Sequence, residues 1–277
     1  MYKRYSISRL EINGLFRSFD NSKLREVTNY YKGYYENYYE NLKFKIEDNL
    51  YSVFHRMDDT VLDGKLIQED WFPTVNTHVF ISHSHKDIQL AKALAGWLLE
   101  RFGINSFIDS CIWRHADNLL KILDKKYCWD AKKKSYDYKK RNLSTSHVHM
   151  MLMTALNKMI DKSECIFFLN TPNSNIGKGI YSSTLSPWIY GEIEASRLIR
   201  KKIPKRYGPI IDGKREYTWD ERMLLENLIV EYPLNLGHFY NLSSDVLLEW
   251  DNSEANNAEE ALDMLYSLTN NKIILYD

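Results

Sequence analysis

Short apolar runs alternate with helically spaced segments through the middle of the chain, and this alternation restricts the fold more than any other feature. "HVFIS", His78 to Ser82, is a compact apolar run of the kind that forms a strand buried on both faces. Ile88, Ala91, Leu94, Ala95, Leu98 and Phe102 then keep helical spacing, and Gly103 is placed to supply a left-handed cap at the end of that helix. "INSFIDS", Ile104 to Ser110, reads as a second strand, "VHMMLMTALNKMIDK", Val148 to Lys162, as another helix, and "ECIFFLN", Glu164 to Asn170, as a third strand. Such a rhythm implies a parallel sheet with helices on both faces and ligand sites in the loops beyond the C-terminal ends of the strands. Ser82, Asp109 and Asn170 stand at such ends.

Upstream, Asn21 to Met57 is helical in pattern, with Leu24, Val27, Tyr31, Tyr34, Tyr38, Leu42, Ile46, Leu50 and Val53 recurring every three or four residues. Tyr combines apolar area with a polar tip, so this stripe suits either the chain's own core or a second copy. "DWFPTVNT", Asp70 to Thr77, interrupts the period. The chain is therefore expected to divide into an N-terminal helical extension, residues 1–74, and an α/β domain, residues 75–277. Within the second part, Lys125 to Arg141 is a polar, basic insertion, and the C-terminal region is an elaboration. There "NLIVEYPLNLGHFYNLS" and "DVLLEW" suit strands or buried turns, and "EEALDMLYSL" suits a closing helix.

A chain of 277 residues that is 44% hydrophobic can bury a substantial core. Lys plus Arg and Asp plus Glu both total 37, so no global field draws it to nucleic acid or an anionic membrane. The insertion sets its lysines among Tyr127, Trp129, Tyr136 and Tyr138, a composition that can stack on nucleic acid, but a solvated loop explains it more simply and no nucleic-acid partner is expected. "MYKRYSISRLEING" lacks the apolar core of a signal peptide, and no segment reaches the length of a spanning helix, so a cytoplasmic location without membrane contact is expected. Cys111, Cys128 and Cys165 are too scattered for a zinc site or a disulfide framework and read as reduced thiols. The pairs His83/His85 and His147/His149 have no Cys or carboxylate at ligand spacing, so no metal is expected. "HSHKD" after the first apolar strand has no glycine-rich phosphate loop, and no G-x-S-x-G elbow occurs anywhere.

"LSPWIYGEIEAS", Leu185 to Ser196, starts a helix at Pro187 with Ser186 as its N-cap. Glu192 follows Trp188 by four residues and so shares its helix face, whereas Glu194 points elsewhere. A carboxylate set against an aromatic ring in a half-dry stripe can have its pKa raised by desolvation.

Five landmarks in order, "HVFISHSHKD", "FIDS", "IW" with Asp117, "CIFFLN" and "SPWIYGE", resemble the Toll/interleukin-1 receptor (TIR) domain over about residues 77–202. The resemblance implies a flavodoxin-like parallel sheet. It also implies that the chain takes NAD⁺ as a substrate rather than a cofactor and cleaves its nicotinamide–ribose bond, as enzymatic TIR domains do. The product is ADP-ribose or a cyclic or modified form, used as a signal to an effector in bacterial antiphage systems of the Thoeris type. Glu192 matches the catalytic glutamate, and Ser82, His83, Asp109, Trp113, Asp117 and Trp188 match the nucleotide-lining segments. The alternative within the same family is a non-catalytic adaptor acting by TIR–TIR association. Self-association through that domain or the N-terminal helices is expected in either case. Ser84 and His85 replace basic residues of the first loop in some catalytic members.

Overall fold

The computed structural model describes residues 1–47, 62–113, 116–177, 182–207 and 230–270. Its strands are β1 (Lys3–Ser8), β2 (Val79–Ser82), β3 (Ser106–Phe107), β4 (Trp129–Asp130), β5 (Ser135–Tyr136), β6 (Cys165–Asn170), β7 (Ser183–Thr184), β8 (Tyr232–Pro233) and β9 (Tyr240–Asn241). The helices are α1 (Arg9–Phe19), α2 (Leu24–Glu47), α3 (Gly64–Trp71), α4 (Ile88–Phe102), α5 (Asp109–Ile112), α6 (Ala116–Leu123), α7 (Tyr138–Lys162), α8 (Pro187–Leu198), α9 (Ser244–Asp251) and α10 (Ala258–Asn270).

Five strands form one parallel sheet in the order β3-β2-β6-β1-β9, and two short antiparallel ribbons, β4-β5 and β7-β8, lie outside it. Successive side chains of a strand point to opposite faces, and the core divides accordingly. Tyr5, Ile7, Val79, Ile81, Phe167 and Leu169 pack on one face against α1, α2, α4, α9 and α10. Phe80, Phe107 and Ile166 pack on the other with α3, α6 and α7, and Phe168 meets Ile189 and Ile193 of α8. The sheet is thus covered by helices on both faces, as the strand–helix rhythm requires.

The N-terminal segment differs from expectation. The described residues of the 1–74 segment do not form a separate helical extension: β1 pairs with β6 over the full register from Lys3 opposite Cys165 to Ser8 opposite Asn170, and with β9 on its other edge. The first strand of the chain therefore takes the fourth place in the sheet, whereas a flavodoxin-like sheet runs 2-1-3-4-5 in chain order. Helix α2 belongs to the same core. A Cβ added to Gly96 of α4 would collide with the Tyr31 carbonyl oxygen of α2, so the two helices meet backbone to backbone at that glycine. Leu50 and Val53, part of the expected Asn21–Met57 helix, lie outside the described residues, as does the start of "NLIVEYPLNLGHFYNLS".

Other boundaries shift for local reasons. The second strand is only Ser106–Phe107, because Asp109 already opens the short helix α5. The basic insertion is folded rather than looped: Asp124–Cys128 make a π-helical turn, β4 and β5 a ribbon, and Asp137 caps α7 by accepting from the Lys140 N–H at 2.9 Å. "DVLLEW" is helical within α9, capped by Ser243. Among the described residues no helix is long and apolar enough to cross a membrane.

The α2–α4 contact yields a direct test. Gly96→Ala must push α2 away from α4, and overpacking of this kind costs about 1–3 kcal/mol or more. We expect a lower thermal midpoint and a lower denaturant midpoint than the parent. An unchanged midpoint would show that α2 does not rest on α4 in solution.

Candidate active site

Three elements converge beyond the C-terminal ends of β2 and β3. Strand β2 delivers Ser82 and then His83, β3 leads into Asp109 at the first position of α5, and α8 approaches from the helical layer on that face. Local chemistry starts α8 where the sequence says it should: Pro187 is its first residue, and the Ser186 hydroxyl accepts from the Ile189 N–H at 3.2 Å. Its far end is held by the first strand. The Arg4 guanidinium donates to the backbone oxygens of Ser196, at 2.6 Å, and Ile199, at 3.0 Å, which satisfies carbonyls that the helix leaves unpaired and places a cation at the negative end of its dipole.

Between these two fixed ends Glu192 turns inward. It is only 5% exposed, and the Ser82 hydroxyl donates to its Oε2 at 2.6 Å. Burial raises its pKa well above the ordinary carboxylate range, the nearby Asp109 charge raises it further, and the Ser82 hydrogen bond opposes both. Glu192 and Trp188 share a helix face but differ in enclosure. Trp188 is half-buried and meets the edge of His149 at 5.4 Å between ring centres, while the carboxylate, not the indole, is the more enclosed of the two.

A cleft of about 430 Å³ opens over Glu192. Of the residues singled out from the sequence, His83, Asp109, Trp113, Asp117, Trp188 and Glu192 line it, and Ser82 reaches it through Glu192. Asn170 does not line it; its amide instead donates to Ser6 and its carbonyl accepts from Asn175. Trp113 is a fixed wall rather than a loop aromatic: its indole N–H donates to the Pro73 carbonyl at 2.9 Å, and its ring packs edge-on against Phe72 and Phe107. Asp117 likewise belongs to the first turn of α6.

His85, Ser110, His149 and Leu152 also line the cleft, as does the start of α8 from Ser186 to Ile189. His149 and Leu152 lie on α7, three residues apart and hence on one face, a placement that only the packing of α7 beside α8 creates. The His-x-His spacing marked His83, His85 and His149 without indicating that they would meet. Among the described residues no group of three or more His, Cys, Asp or Glu is arranged to hold a metal ion, and all three cysteines are free thiols. The cleft is thus acidic, with three carboxylates and three imidazoles set between aromatic walls. Compared with known proteins, the chain matches no family, no curated protein and no solved structure.

Removing the buried charge should stabilise the fold. Because the folded-state pKa of Glu192 is raised, its contribution is most favourable below the unfolded-state pKa and is lost as pH rises through the folded-state value. Glu192→Gln avoids that loss and keeps an oxygen for Ser82. Its thermal midpoint should exceed that of the parent at pH 8 by about 2–4 °C, the shift that ~1 kcal/mol produces in a domain of this size. The difference should vanish near pH 4. A variant less stable than the parent at pH 8 would show that Glu192 is held as a paired anion.

Proposed function

We propose that this protein is an enzyme of TIR type that cleaves the nicotinamide–ribose bond of NAD⁺. It releases nicotinamide together with ADP-ribose or a cyclic or modified form of it. The observation that carries this reading is the burial of one carboxylate, Glu192, against a single hydroxyl in an acidic cleft with aromatic walls. When the C1′–N bond breaks, its electron pair leaves on nicotinamide and the ribose is left positive. A carboxylate kept from water and aimed at that ring stabilises the new charge more than it stabilises the ground state. Water, or a hydroxyl or ring nitrogen of the same nucleotide, then forms the new bond to C1′, and one proton is released to solvent.

The surroundings suit that substrate. The cation of the nicotinamide ring favours ionised Glu192 and so opposes the effect of burial. Asp109 and Asp117 add to the negative potential, and the Trp188 and His149 rings offer faces for stacking. The N-terminal turn of α8 with His83 and His85 suits the diphosphate. In this reading the nucleotide product is a signal for a separate effector in antiphage defence. The enzyme works in the cytoplasm, where its free thiols persist. Tyr30, Tyr34 and Tyr38, exposed on α2, provide a face for self-association, and a non-catalytic adaptor would act through such a face alone.

The test is incubation of pure protein with NAD⁺, with products resolved by mass. Glu192→Gln should lose at least about 100-fold in turnover, the scale of removing a principal electrostatic stabiliser. Glu194→Gln, whose carboxylate pairs with Arg197 on the same helix, should act like the parent. Equal turnover by parent and Glu192→Gln would overturn the assignment. So would a parent that leaves NAD⁺ intact at every protein concentration.

The pH profile gives an independent check. Activity requires ionised Glu192, so kcat/KM should fall as pH drops through its elevated pKa. Asp109→Asn removes a like charge and should move that acid limb to lower pH. A limb that stays in place would show that another group controls it.

A further inference from the structure

A second cleft, of about 640 Å³, lies between α1, α2 and the start of α4. Arg9 and Arg17 reach it from α1 at positions eight apart, and Asn13 lies midway between them, so the three form one row along the helix. Arg25 enters from the first turn of α2, and Lys86 from the turn that precedes α4. Four cations therefore face the cleft against a single lining carboxylate, that of Asp87.

Asp87 is already neutralised. Its side chain is fully buried, and it accepts from Arg9 at 2.5 Å, from the Thr171 hydroxyl at 2.5 Å and from the Asn173 amide at 2.8 Å. Among the described residues Arg17, Arg25 and Lys86 have no carboxylate within ion-pair distance, and all three are exposed. The first turns of α2 and α4 both border the cleft, and each adds the positive end of a helix dipole. In a chain of zero net charge such a concentration of positive potential is local, and it draws an anion to the cleft.

We propose that this cleft binds a multiply phosphorylated small molecule, bridged by Arg17, Arg25 and Lys86 over the neutralised Asp87–Arg9 pair. Arginine forks match phosphate oxygens two at a time, and cations from three separate elements suit a chain of phosphates better than a single one. The volume favours a small molecule over a nucleic-acid strand, whose backbone needs an open groove.

The site has a route to the Glu192 cleft. Ser82 to Asp87 is one short segment: Ser82 bonds Glu192, His83 and His85 line the first cleft, and Lys86 and Asp87 line the second. An anion that fixes Lys86 holds the end of the segment that carries Ser82. This coupling rests on the Glu192 reading above; the binding does not.

Calorimetric titration of the full chain with tripolyphosphate at low salt tests the binding, with NAD⁺ turnover measured in parallel. We expect saturable binding that weakens as salt is added. It should fall at least tenfold in Arg17→Ser/Arg25→Ser and remain unchanged in Lys139→Ser/Lys140→Ser, which removes equal charge from the start of α7. Circular dichroism and the ligand-free unfolding midpoint establish that each variant is folded. ATP in place of tripolyphosphate separates the sources: tighter binding identifies a nucleotide ligand, equal binding a polyphosphate moiety alone. Absence of binding up to about 1 mM, a level at which only weak affinity would be missed, overturns the proposal. Equal loss in both double variants, or tighter binding of a short single-stranded RNA through Arg17 and Arg25, does so as well. Tripolyphosphate binding without NAD⁺ turnover would remove the Glu192 reading and leave this site standing.

Discussion

The parallel pairing of β1 with β6 is the contact on which the rest of the molecule depends. It brings the first eight residues into the interior of the sheet, between strands that lie some 160 and 235 residues further along the chain. Tyr5 and Ile7 then supply core on one face, while Arg4, on the opposite face, reaches the C-terminal carbonyls of α8. The chain leaves the strand directly into α1, so Arg9 arrives beside Asp87. One ladder of backbone hydrogen bonds thus positions an anchor for each cleft. Loss of it would draw Arg4 away from the α8 carbonyls and unseat the start of α1, which carries Arg9.

Glu192 shows how that scaffold encloses a carboxylate. An exposed helical glutamate is ionised and solvated, with nothing to offer a cation that water does not. Here α8 is pinned at the start by the Ser186 cap and at the end by Arg4, and its middle is packed through Ile189 and Ile193 against Phe168. Glu192 lies on the inward side of that segment and must be accommodated by Ser82. One hydrogen bond does not replace the solvation of a full charge, and Asp109 adds repulsion. The resulting tension is relieved by a proton or by a cationic ligand, which links the chemistry of the cleft to the stability of the fold.

The two clefts have opposite character and share a boundary. The one over Glu192 is acidic and walled by Trp113 and Trp188, whereas the one bordered by α1 and α2 is basic and polar. They are divided by the turn from His83 to Asp87, whose 3-10 geometry directs His85 to one side and Asp87 to the other. Zero net charge over the whole chain therefore conceals two strong local fields.

Much of this was legible in the residues themselves. The apolar runs at β2 and β6, the Gly103 terminator of α4, with φ of 66°, and the Ser186-Pro187 start of α8 are local signals, set by backbone sterics and by which side chains can lie in a dry interior. Ser82 and Asp109 were legible because strand ends in a parallel sheet converge, whereas Glu192, Trp113, Asp117 and Trp188 were assigned to the site through the family resemblance. The first strand was not legible. A central parallel strand is normally apolar on both sides, but Arg4, Ser6 and Ser8 leave "KRYSIS" polar on one, since that face meets α8 carbonyls and Asn170 rather than a greasy layer. Nor does spacing reveal that His149 stands beside Trp188, that the Tyr31 carbonyl lies on Gly96, or that Arg9, Arg17, Arg25 and Lys86 share one cleft. The residues alone mark β2, β6, the end of α4 and the start of α8, because those follow from interactions within a few residues. The strand order, the enclosure of Glu192 and the gathering of the cations emerge only on folding, because each depends on packing between segments whose separation along the chain leaves no periodic trace.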